Sequence, residues 1–307
     1  MLSNQKILIT GITGFLGSHI AENLIQENFI VIGLKRKNAD CWRCTDFKDK
    51  IIWVDIDDNF EEQIIKLNPS IFIHCAWSGA QANSRDVEDI QLENISFLKK
   101  ILAIVSKCKS ARFIGFGSQA EYGFLDSPAI ETQSPNPNNL YGTAKVEASK
   151  IVQTYCDQNE IKWYWLRLFS FYGPKESKQW LIPHVITSIL EGKIYIDLGP
   201  CSQKYAYLYV KDLANYINLL VQKKDSPKGI YNISGNNLYE LKELLLKLHG
   251  YFKNSITNLK FDVLPSRANQ STIIKGSMRK FHTKIGRIKH TSLKIGLAET
   301  IDFYKVN

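Results

Sequence analysis

The sequence predicts an α/β protein in which a doubly wound parallel sheet is followed by a smaller α/β lobe. Short, continuous apolar runs alternate with amphipathic helical segments as far as Phe169. Such runs are typical of parallel strands that helices cover on both faces. Beyond Gly173 the alternation gives way to isolated helices and short strands, which indicates a second, less regular lobe.

The individual elements follow from apolar periodicity. Residues 6–10 form an almost unbroken apolar run, and apolar residues at positions 16, 20, 24 and 25 then mark one face of a helix. The chain therefore begins with a strand, a glycine turn and a helix. The further strands that we predict are 29–34, 51–54, 71–76, 112–117 and 163–169, and the further helices are 60–67, 90–107, 141–158, 238–249 and 293–304.

Composition excludes several classes of protein. The chain has 307 residues, of which 44% are hydrophobic and 22% charged, and its net charge is +9. These values disfavour disordered, collagen-like and disulfide-scaffold proteins, and the basic charge suits an anionic partner. No apolar run reaches the length of about 18 residues that spans a bilayer, and six cysteines are too sparse for a disulfide framework. We expect a soluble, cytoplasmic protein with reduced thiols and no membrane partner.

Two further features leave alternatives open. Cys41 and Cys44 have the spacing of a redox or zinc pair, but a zinc site needs about four ligands and no second CxxC or CxxH follows. We predict no metal, and the pair is either a functional dithiol or two incidental loop thiols. The basic segment 275–290 is either a solvated face or a phosphate contact. Nucleic acid is not an expected partner, because RNP, KH and zinc-finger signatures are absent.

A glycine-rich turn joins the first strand to the first helix with the spacing GxxGxxG. Glycine permits a tight turn and lets a pyrophosphate approach backbone N–H groups at a helix N-terminus, where the helix dipole favours negative charge. The position of this turn predicts a dinucleotide-binding fold of the Rossmann type. The residues that we expect at the cofactor are Gly11, Thr13, Gly14, Phe15, Leu16 and Gly17.

Basic residues follow the second strand, where an NAD site usually carries an Asp or Glu for the ribose hydroxyls. Lys35 and Arg36 would attract the 2′-phosphate of NADP, whereas a carboxylate would repel it. We predict NADP(H) as the favoured cofactor. NAD(H) stays possible, because the same residues also suit a solvated basic loop.

Tyr141 and Lys145 are one helical turn apart, so their side chains share a helix face. An ammonium group near the phenol would lower its pKa from about 10 and allow proton transfer near neutral pH. Ser118 ends the fifth predicted strand. Together with the glycine turn, these three residues indicate a catalytic site that donates or accepts a proton.

The motifs together resemble the extended short-chain dehydrogenase/reductases, the NAD(P)-dependent epimerase/dehydratase family that acts on nucleotide sugars. The resemblance covers nearly the whole chain and implies a dinucleotide-binding domain at 1–173 and a substrate lobe at 174–307, with some strand exchange between them. It also implies a homodimer, a nucleoside-diphosphate sugar substrate and a role in surface polysaccharide sugar biosynthesis. Further cofactor-binding residues implied by the resemblance are Asp55, Ile56, Cys75, Ala76, Trp77, Asn94 and Phe169, besides Tyr141 and Lys145.

Departures from the family pattern narrow the reaction. Family 4,6-dehydratases carry Thr-Asp-Glu or a near equivalent where this chain has Ser118, Gln119 and Ala120, so the acid and base for dehydration are missing. The epimerising Cys and His of the GDP-fucose synthase type correspond to Ala120 and Trp180. Near the substrate diphosphate, Lys204 and Tyr205 stand where the family usually presents an arginine. Substrate-binding residues implied by the resemblance are Ser118, Gln119, Ser170, Lys204, Tyr205 and Arg267.

We therefore expect an NADPH-dependent reductase of a 4-keto nucleotide-activated (deoxy)sugar. In this hypothesis Tyr141 donates the proton, Ser118 holds the carbonyl oxygen, and Lys145 lowers the pKa of Tyr141 and binds the nicotinamide ribose. Two alternatives remain: a nucleotide-sugar C4 epimerase with tightly bound NAD(P), and a non-catalytic NADP-dependent sensor or RNA-binding relative.

Overall fold

Strands and helices alternate regularly through the N-terminal part of the chain. The computed structural model describes residues 5–81, 83–109, 111–265 and 270–306. Short 3₁₀ turns lie at Trp42–Cys44, Lys48–Lys50 and Gln119–Tyr122. The regular elements are β1 (Lys6–Thr10), α1 (Phe15–Gln26), β2 (Ile30–Arg36), β3 (Ile51–Ile56), α2 (Phe60–Leu67), β4 (Ile71–His74), α3 (Glu88–Val105), β5 (Arg112–Ser118), α4 (Leu140–Gln158) and β6 (Lys162–Leu168).

The second part of the chain is less regular, as the sequence predicts. None of the helices in the described residues is both long and apolar enough to cross a membrane. The elements are β7 (Phe171–Tyr172), α5 (Leu181–Leu190), β8 (Tyr195–Asp197), β9 (Lys204–Tyr205), β10 (Leu208–Tyr209), α6 (Val210–Gln222), β11 (Gly229–Ile233), β12 (Tyr239–Glu240), α7 (Leu241–His249), β13 (Asn258–Lys260), β14 (Ile273–Ile274), α8 (Arg279–Lys284) and α9 (Leu293–Val306).

The main sheet has the strand order β3-β2-β1-β4-β5-β6-β11, and every neighbouring pair in it is parallel. The predicted Rossmann-like α/β fold is thereby confirmed. Strand order reverses between β1 and β4, and ligands of doubly wound sheets bind at the carboxyl ends of the strands beside such a reversal. The glycine turn after β1 and the loop after β4 both lie at this edge.

Strand β4 ends two residues earlier than its apolar run predicts. The Cys75 N–H bonds to the Thr10 carbonyl at 3.1 Å, and the Ala76 N–H bonds to Thr10 Oγ1 at 3.2 Å. At Ala76 a bond to the threonine side chain thus stands where a strand would bond to the backbone of β1. The regular strand therefore ends at His74.

Two apolar layers cover the main sheet. On one face α1 packs against α6, with Ile20, Leu24 and Ile217 fully buried. On the other face α3 and α4 bury Leu98 and Val152. Because α6 and β11 come from the C-terminal part of the chain, both halves of the sequence build the dinucleotide-binding sheet and its covering layer.

A separate core holds the second lobe together. Helices α5, α7 and α9 bury Val185, Leu245 and Ile301 against one another. Three small sheets surround these helices: β9 lies between β12 and β14, β8 pairs with β13, and β7 pairs with β10. Strands β7 and β9 bring the predicted substrate segments to the carboxyl edge of the main sheet.

Candidate active site

The glycine turn approaches the loop after β4 closely. A Cβ atom on Gly11, where φ is +64°, would lie 2.7 Å from the Ala76 nitrogen, and a Cβ on Gly17 would lie 2.3 Å from the Gly11 carbonyl oxygen. Gly14 caps α1 with extended backbone and no side-chain hydrogen bond, and the first turn of the helix carries no acidic residue. The first N–H groups of α1 are therefore free to bind an anion.

The two predicted cations after β2 differ in their surroundings. Lys35 lies opposite Asp55 in the β2–β3 pairing, and its Nζ donates to Asp55 Oδ1 at 2.5 Å. Its charge is thus already paired, and paired with a residue predicted to contact adenine. Arg36 is exposed and forms no ion pair with any residue that the structure describes. The expected contact of Lys35 and Arg36 with a 2′-phosphate stays a prediction, and Lys35 would have to share its charge between that phosphate and Asp55.

Arg43 lies at the glycine turn, which the sequence analysis did not predict. Its Nε donates to the Lys175 carbonyl at 2.8 Å, and its Nη1 donates to the Thr13 carbonyl at 3.5 Å. It belongs to the 3₁₀ turn between Cys41 and Cys44, both of which are free thiols. Burial raises the pKa of Cys44 to about 12, which makes this thiol a poor nucleophile.

The structure brings Ser118, Tyr141 and Lys145 together. Ser118 ends β5 and caps the following 3₁₀ turn, where its Oγ accepts the Ala120 N–H at 3.1 Å. The Ser118 side chain lies close enough to the Tyr141 hydroxyl to lower the pKa of the phenol, against the larger effect of burial. Lys145, which is only 4% exposed, donates from Nζ to the Phe116 carbonyl at 2.8 Å. The Asn139 side chain starts α4 by accepting the Gly142 N–H, which fixes the helix register that aligns Tyr141 with Lys145.

The ammonium of Lys145 lies over the indole of Trp77, 3.5 Å from the ring centroid, and 5.8 Å from the Tyr141 ring centroid. Burial lowers the pKa of Lys145 to about 7. Burial also raises the pKa of Tyr141, against the opposing effects of its Ser118 hydrogen bond and the Arg85 guanidinium. Lys145 is not among the groups that shift the Tyr141 pKa here, so the expected lowering of that pKa by Lys145 stays a prediction.

A buried amide network holds the loop after β4. Trp77 Nε1 donates to Gln91 Oε1 at 3.1 Å, and Gln91 Nε2 donates to the Gly79 carbonyl at 3.1 Å. Asn94 makes two 2.9 Å bonds to the backbone N–H and carbonyl of Ser78. Asn94, predicted at the cofactor, is thus bonded to the loop whose residues Cys75, Ala76 and Trp77 are also predicted to contact the cofactor. Burial raises the pKa of the Cys75 thiol, which is therefore uncharged.

Behind Ser118 lies a buried ion pair that sequence reasoning missed. Arg167 Nε donates to Glu121 Oε2 at 2.7 Å, and the two side chains are 3% and 0% exposed. Glu121 Oε1 accepts the Ser118 N–H and the Trp165 Nε1–H, each at 3.0 Å. Burial raises the pKa of Glu121, and Arg167 opposes that rise. The Glu121 carboxylate therefore holds the backbone of Ser118 in place and is itself fully buried.

Two of the predicted substrate residues, Lys204 and Tyr205, form β9 and lie on its opposite faces. Successive strand residues point to opposite faces, and Lys204 is exposed whereas Tyr205 packs against the cluster of Tyr122 and Phe169. The Tyr205 ring stacks on Tyr207, two residues further on, at 5.4 Å. The cation expected to replace the family arginine thus points away from Phe169. Ser170 accepts the Leu208 N–H through its carbonyl, and Arg267 lies outside the described residues.

Within the described ranges, no cluster of three or more His, Cys, Asp or Glu side chains could hold a metal ion. The chemistry that the site offers is hydrogen-bond donation from Ser118 and Tyr141, cationic stabilisation by Lys145, and backbone anion binding at α1. These groups suit proton transfer to a carbonyl oxygen, and a bound nicotinamide would supply the hydride.

Comparisons with known proteins agree with this geometry. Residues 7–234 match the NAD dependent epimerase/dehydratase family. A dTDP-D-glucose 4,6-dehydratase of Bos taurus is 24% identical over 99% of this chain and 89% of its own length. A CDP-abequose synthase of Salmonella muenchen is 25% identical over 95% of this chain and 98% of its own length. A dTDP-glucose 4,6-dehydratase from Streptomyces venezuelae, solved with NAD bound, has a TM-score of 0.85 at 20% identity and covers 99% of this chain and 98% of that chain. The chain belongs to the NAD-dependent epimerase/dehydratase family of oxidoreductase-type enzymes.

Proposed function

We propose that the protein is an NADPH-dependent reductase of a 4-keto nucleotide-activated (deoxy)sugar. One observation carries the proposal: Ser118, Tyr141 and Lys145 are assembled, while the adjoining Gln119 and Ala120 cannot transfer protons. Glu121, the carboxylate of the same turn, is bonded to Arg167 and sealed behind Ser118. The site thus has the groups for carbonyl reduction and lacks, at these positions, the acid and base for 4,6-dehydration.

The cofactor proposal rests on the glycine turn and the cations beside it. The free N–H groups of α1 and the close approach of Gly11 to Ala76 fit a pyrophosphate lying against the backbone. Arg36 and Arg43 add positive charge near that turn, and this supports NADP(H) over NAD(H). The Streptomyces venezuelae relative was solved with NAD, so NAD(H) stays an outcome of the test. The reduced nicotinamide supplies a hydride.

In the proposed mechanism, the Ser118 hydroxyl donates a hydrogen bond to the carbonyl oxygen and Tyr141 donates the proton. The raised pKa of Tyr141 supports this direction, because it keeps the phenol protonated before reaction. Lys145 is positioned to stabilise the phenolate that remains once the indole contact is exchanged for cofactor and substrate.

We propose further that the enzyme acts in the cytoplasm as a homodimer, with a nucleoside-diphosphate sugar as substrate. All six cysteines are free thiols, which supports a reducing compartment. Sedimentation of the purified protein tests the dimer.

Turnover assays test the proposed reaction. The protein is mixed with NADPH and 4-keto-6-deoxy sugars carried on dTDP, CDP, GDP or UDP, and the loss of nicotinamide absorbance is followed. We expect cofactor loss stoichiometric with product for one nucleotide, and none with Tyr141→Phe. Interconversion of nucleotide hexoses without net cofactor loss would establish the epimerase, and formation of 4-keto-6-deoxy sugars from dTDP-glucose, GDP-mannose or CDP-glucose would establish a dehydratase. Either result overturns the proposal, as would salt-sensitive RNA binding without turnover.

A further inference from the structure

We propose that Arg85 binds the sugar of the substrate, donating hydrogen bonds to an oxygen substituent on a ring carbon next to the reacting carbonyl. The inference rests on the proposed function and adds a residue to it. Arg85 belongs to the loop between β4 and α3, at the carboxyl edge of the sheet. Neither the glycine turn nor the residue spacing of the catalytic group points to it.

The loop is tied to the start of α4, and this places Arg85 beside the catalytic tyrosine. Asp86 Oδ1 accepts the N–H of Leu140, the residue before Tyr141, at 2.9 Å. The adjoining Arg85 guanidinium is close enough to Tyr141 for its charge to lower the pKa of the phenol, against the larger effect of burial. The bond from Leu140 to Asp86 therefore ties the residue next to Arg85 to the residue before Tyr141.

The backbone of Arg85 is held firmly. Its N–H bonds to the Gln81 carbonyl at 2.9 Å, and its carbonyl accepts Gln91 Nε2 at 3.4 Å. Gln91 is 4% exposed and also binds the Trp77 indole. One buried amide thus fixes both the residue beneath the Lys145 ammonium and the residue beside Tyr141.

The guanidinium is left with unused hydrogen-bonding capacity. Nη2 donates to the Ala80 carbonyl at 3.3 Å, but Nε is buried without a hydrogen-bond partner among the described residues. Buried N–H groups are nearly always paired in folded proteins, so an orphan N–H in a loop bonded to the start of the catalytic helix points to an acceptor that arrives with the ligand. Because Ser118 and Tyr141 address the reacting oxygen, the acceptor for Arg85 is a neighbouring oxygen of the sugar, either a hydroxyl or a carboxylate.

The test compares a nucleoside diphosphate with its sugar on enzyme saturated with NADP⁺. Dissociation constants are measured for UDP, UDP-glucose and UDP-glucuronic acid, and for the dTDP, CDP and GDP counterparts, with the wild type, Arg85→Gln, Arg85→Lys and the exposed control Arg279→Gln. The dissociation constant of the nucleoside diphosphate divided by that of its sugar gives the factor by which the sugar strengthens binding. We expect Arg85→Gln to cut this ratio by about tenfold or more, the scale of a charged hydrogen bond, with binding of NADP⁺ and of the bare diphosphate unchanged. Arg85→Lys should retain part of the ratio, and Arg279→Gln all of it.

The outcomes distinguish failure of the role proposed for Arg85 from failure of the proposed function. A larger loss with UDP-glucuronic acid than with UDP-glucose identifies a carboxylate as the acceptor, and an equal loss identifies a hydroxyl. An unchanged ratio in Arg85→Gln, or equal weakening of diphosphate and sugar, overturns the role of Arg85. Failure of every nucleotide to bind the wild type overturns the proposed function itself.

Discussion

Replacing Glu121 by Gln tests how much the buried ion pair between Glu121 and Arg167 stabilises the fold. The substitution keeps the size of the side chain and one carbonyl oxygen, which can still accept the N–H groups of Ser118 and Trp165. It sets an amide N–H₂ against the Nε–H of Arg167, where a carboxylate oxygen now accepts at 2.7 Å. Arg167 would keep its charge in a site where it is 3% exposed and where its Nη1 already lacks a partner within the described residues.

The expected cost follows from that burial. Surface ion pairs contribute about 0–1 kcal/mol, whereas removing one partner of a buried pair costs about 3–5 kcal/mol because the other charge stays desolvated. We therefore expect Glu121→Gln to lower the free energy of unfolding by about 3–5 kcal/mol. The loss should be smaller in the double variant Glu121→Gln, Arg167→Met, which removes the stranded charge as well.

Urea unfolding, followed by tryptophan fluorescence and circular dichroism, measures both variants against the wild type. A loss below about 1 kcal/mol for Glu121→Gln would mean that water reaches Arg167 and that the pair behaves as a surface one. A double variant less stable than the single one would refute the stranded-charge argument.

Four further predictions follow from the site and its surroundings. Tyr141→Phe should bind cofactor normally in fluorescence titration and lose about 100-fold or more in turnover, the scale of general acid catalysis; near-normal turnover would contradict its role. Lys145→Met should weaken both turnover and cofactor binding. NADPH should bind more tightly than NADH, and Lys35→Asp, which sets a second carboxylate beside Asp55, should weaken NADPH by about 1–3 kcal/mol; tighter NADH in the wild type would contradict this. Burial lowers the pKa of His19 to about 4 and of His74 to about 3. Below pH 6.5 these two histidines are therefore protonated in the unfolded chain but stay neutral in the folded one. Stability should therefore fall by about 1.5 kcal/mol per histidine between pH 6.5 and 5, and a flat urea midpoint over that range would contradict it.

Apolar periodicity is sufficient to predict the first six strands of the main sheet. Their runs are continuous and sit next to helices of matching period, as in Lys6–Thr10 followed by α1. Apolar periodicity does not predict β11, because Gly229–Ile233 is short and alternates polar and apolar residues irregularly. Its pairing with β6 is what makes it a strand of the main sheet. Pairing between residues so far apart in the chain leaves no local pattern.

The candidate site divides in the same way. Tyr141 and Lys145 are fixed by helix geometry, so their spacing is enough to bring them together. Trp77 and Arg85 reach the site through the fold of a loop held by Gln91. The family resemblance points to Trp77, but nothing in the local sequence signals Arg85. The choice between Lys204 and Tyr205 depends on the phase of a two-residue strand, which sequence alone leaves undetermined.

The position of β11 at the edge of the main sheet governs the order in which the chain can fold. Its partner β6 stays an open strand edge during synthesis until α5 and α6 have emerged, since both precede β11. Pairings this distant in sequence slow folding, and an unpaired apolar edge invites association with other chains. A fragment cut near residue 173 would retain that edge permanently, so we expect it to aggregate, and the two halves of the intact chain to unfold in one cooperative transition.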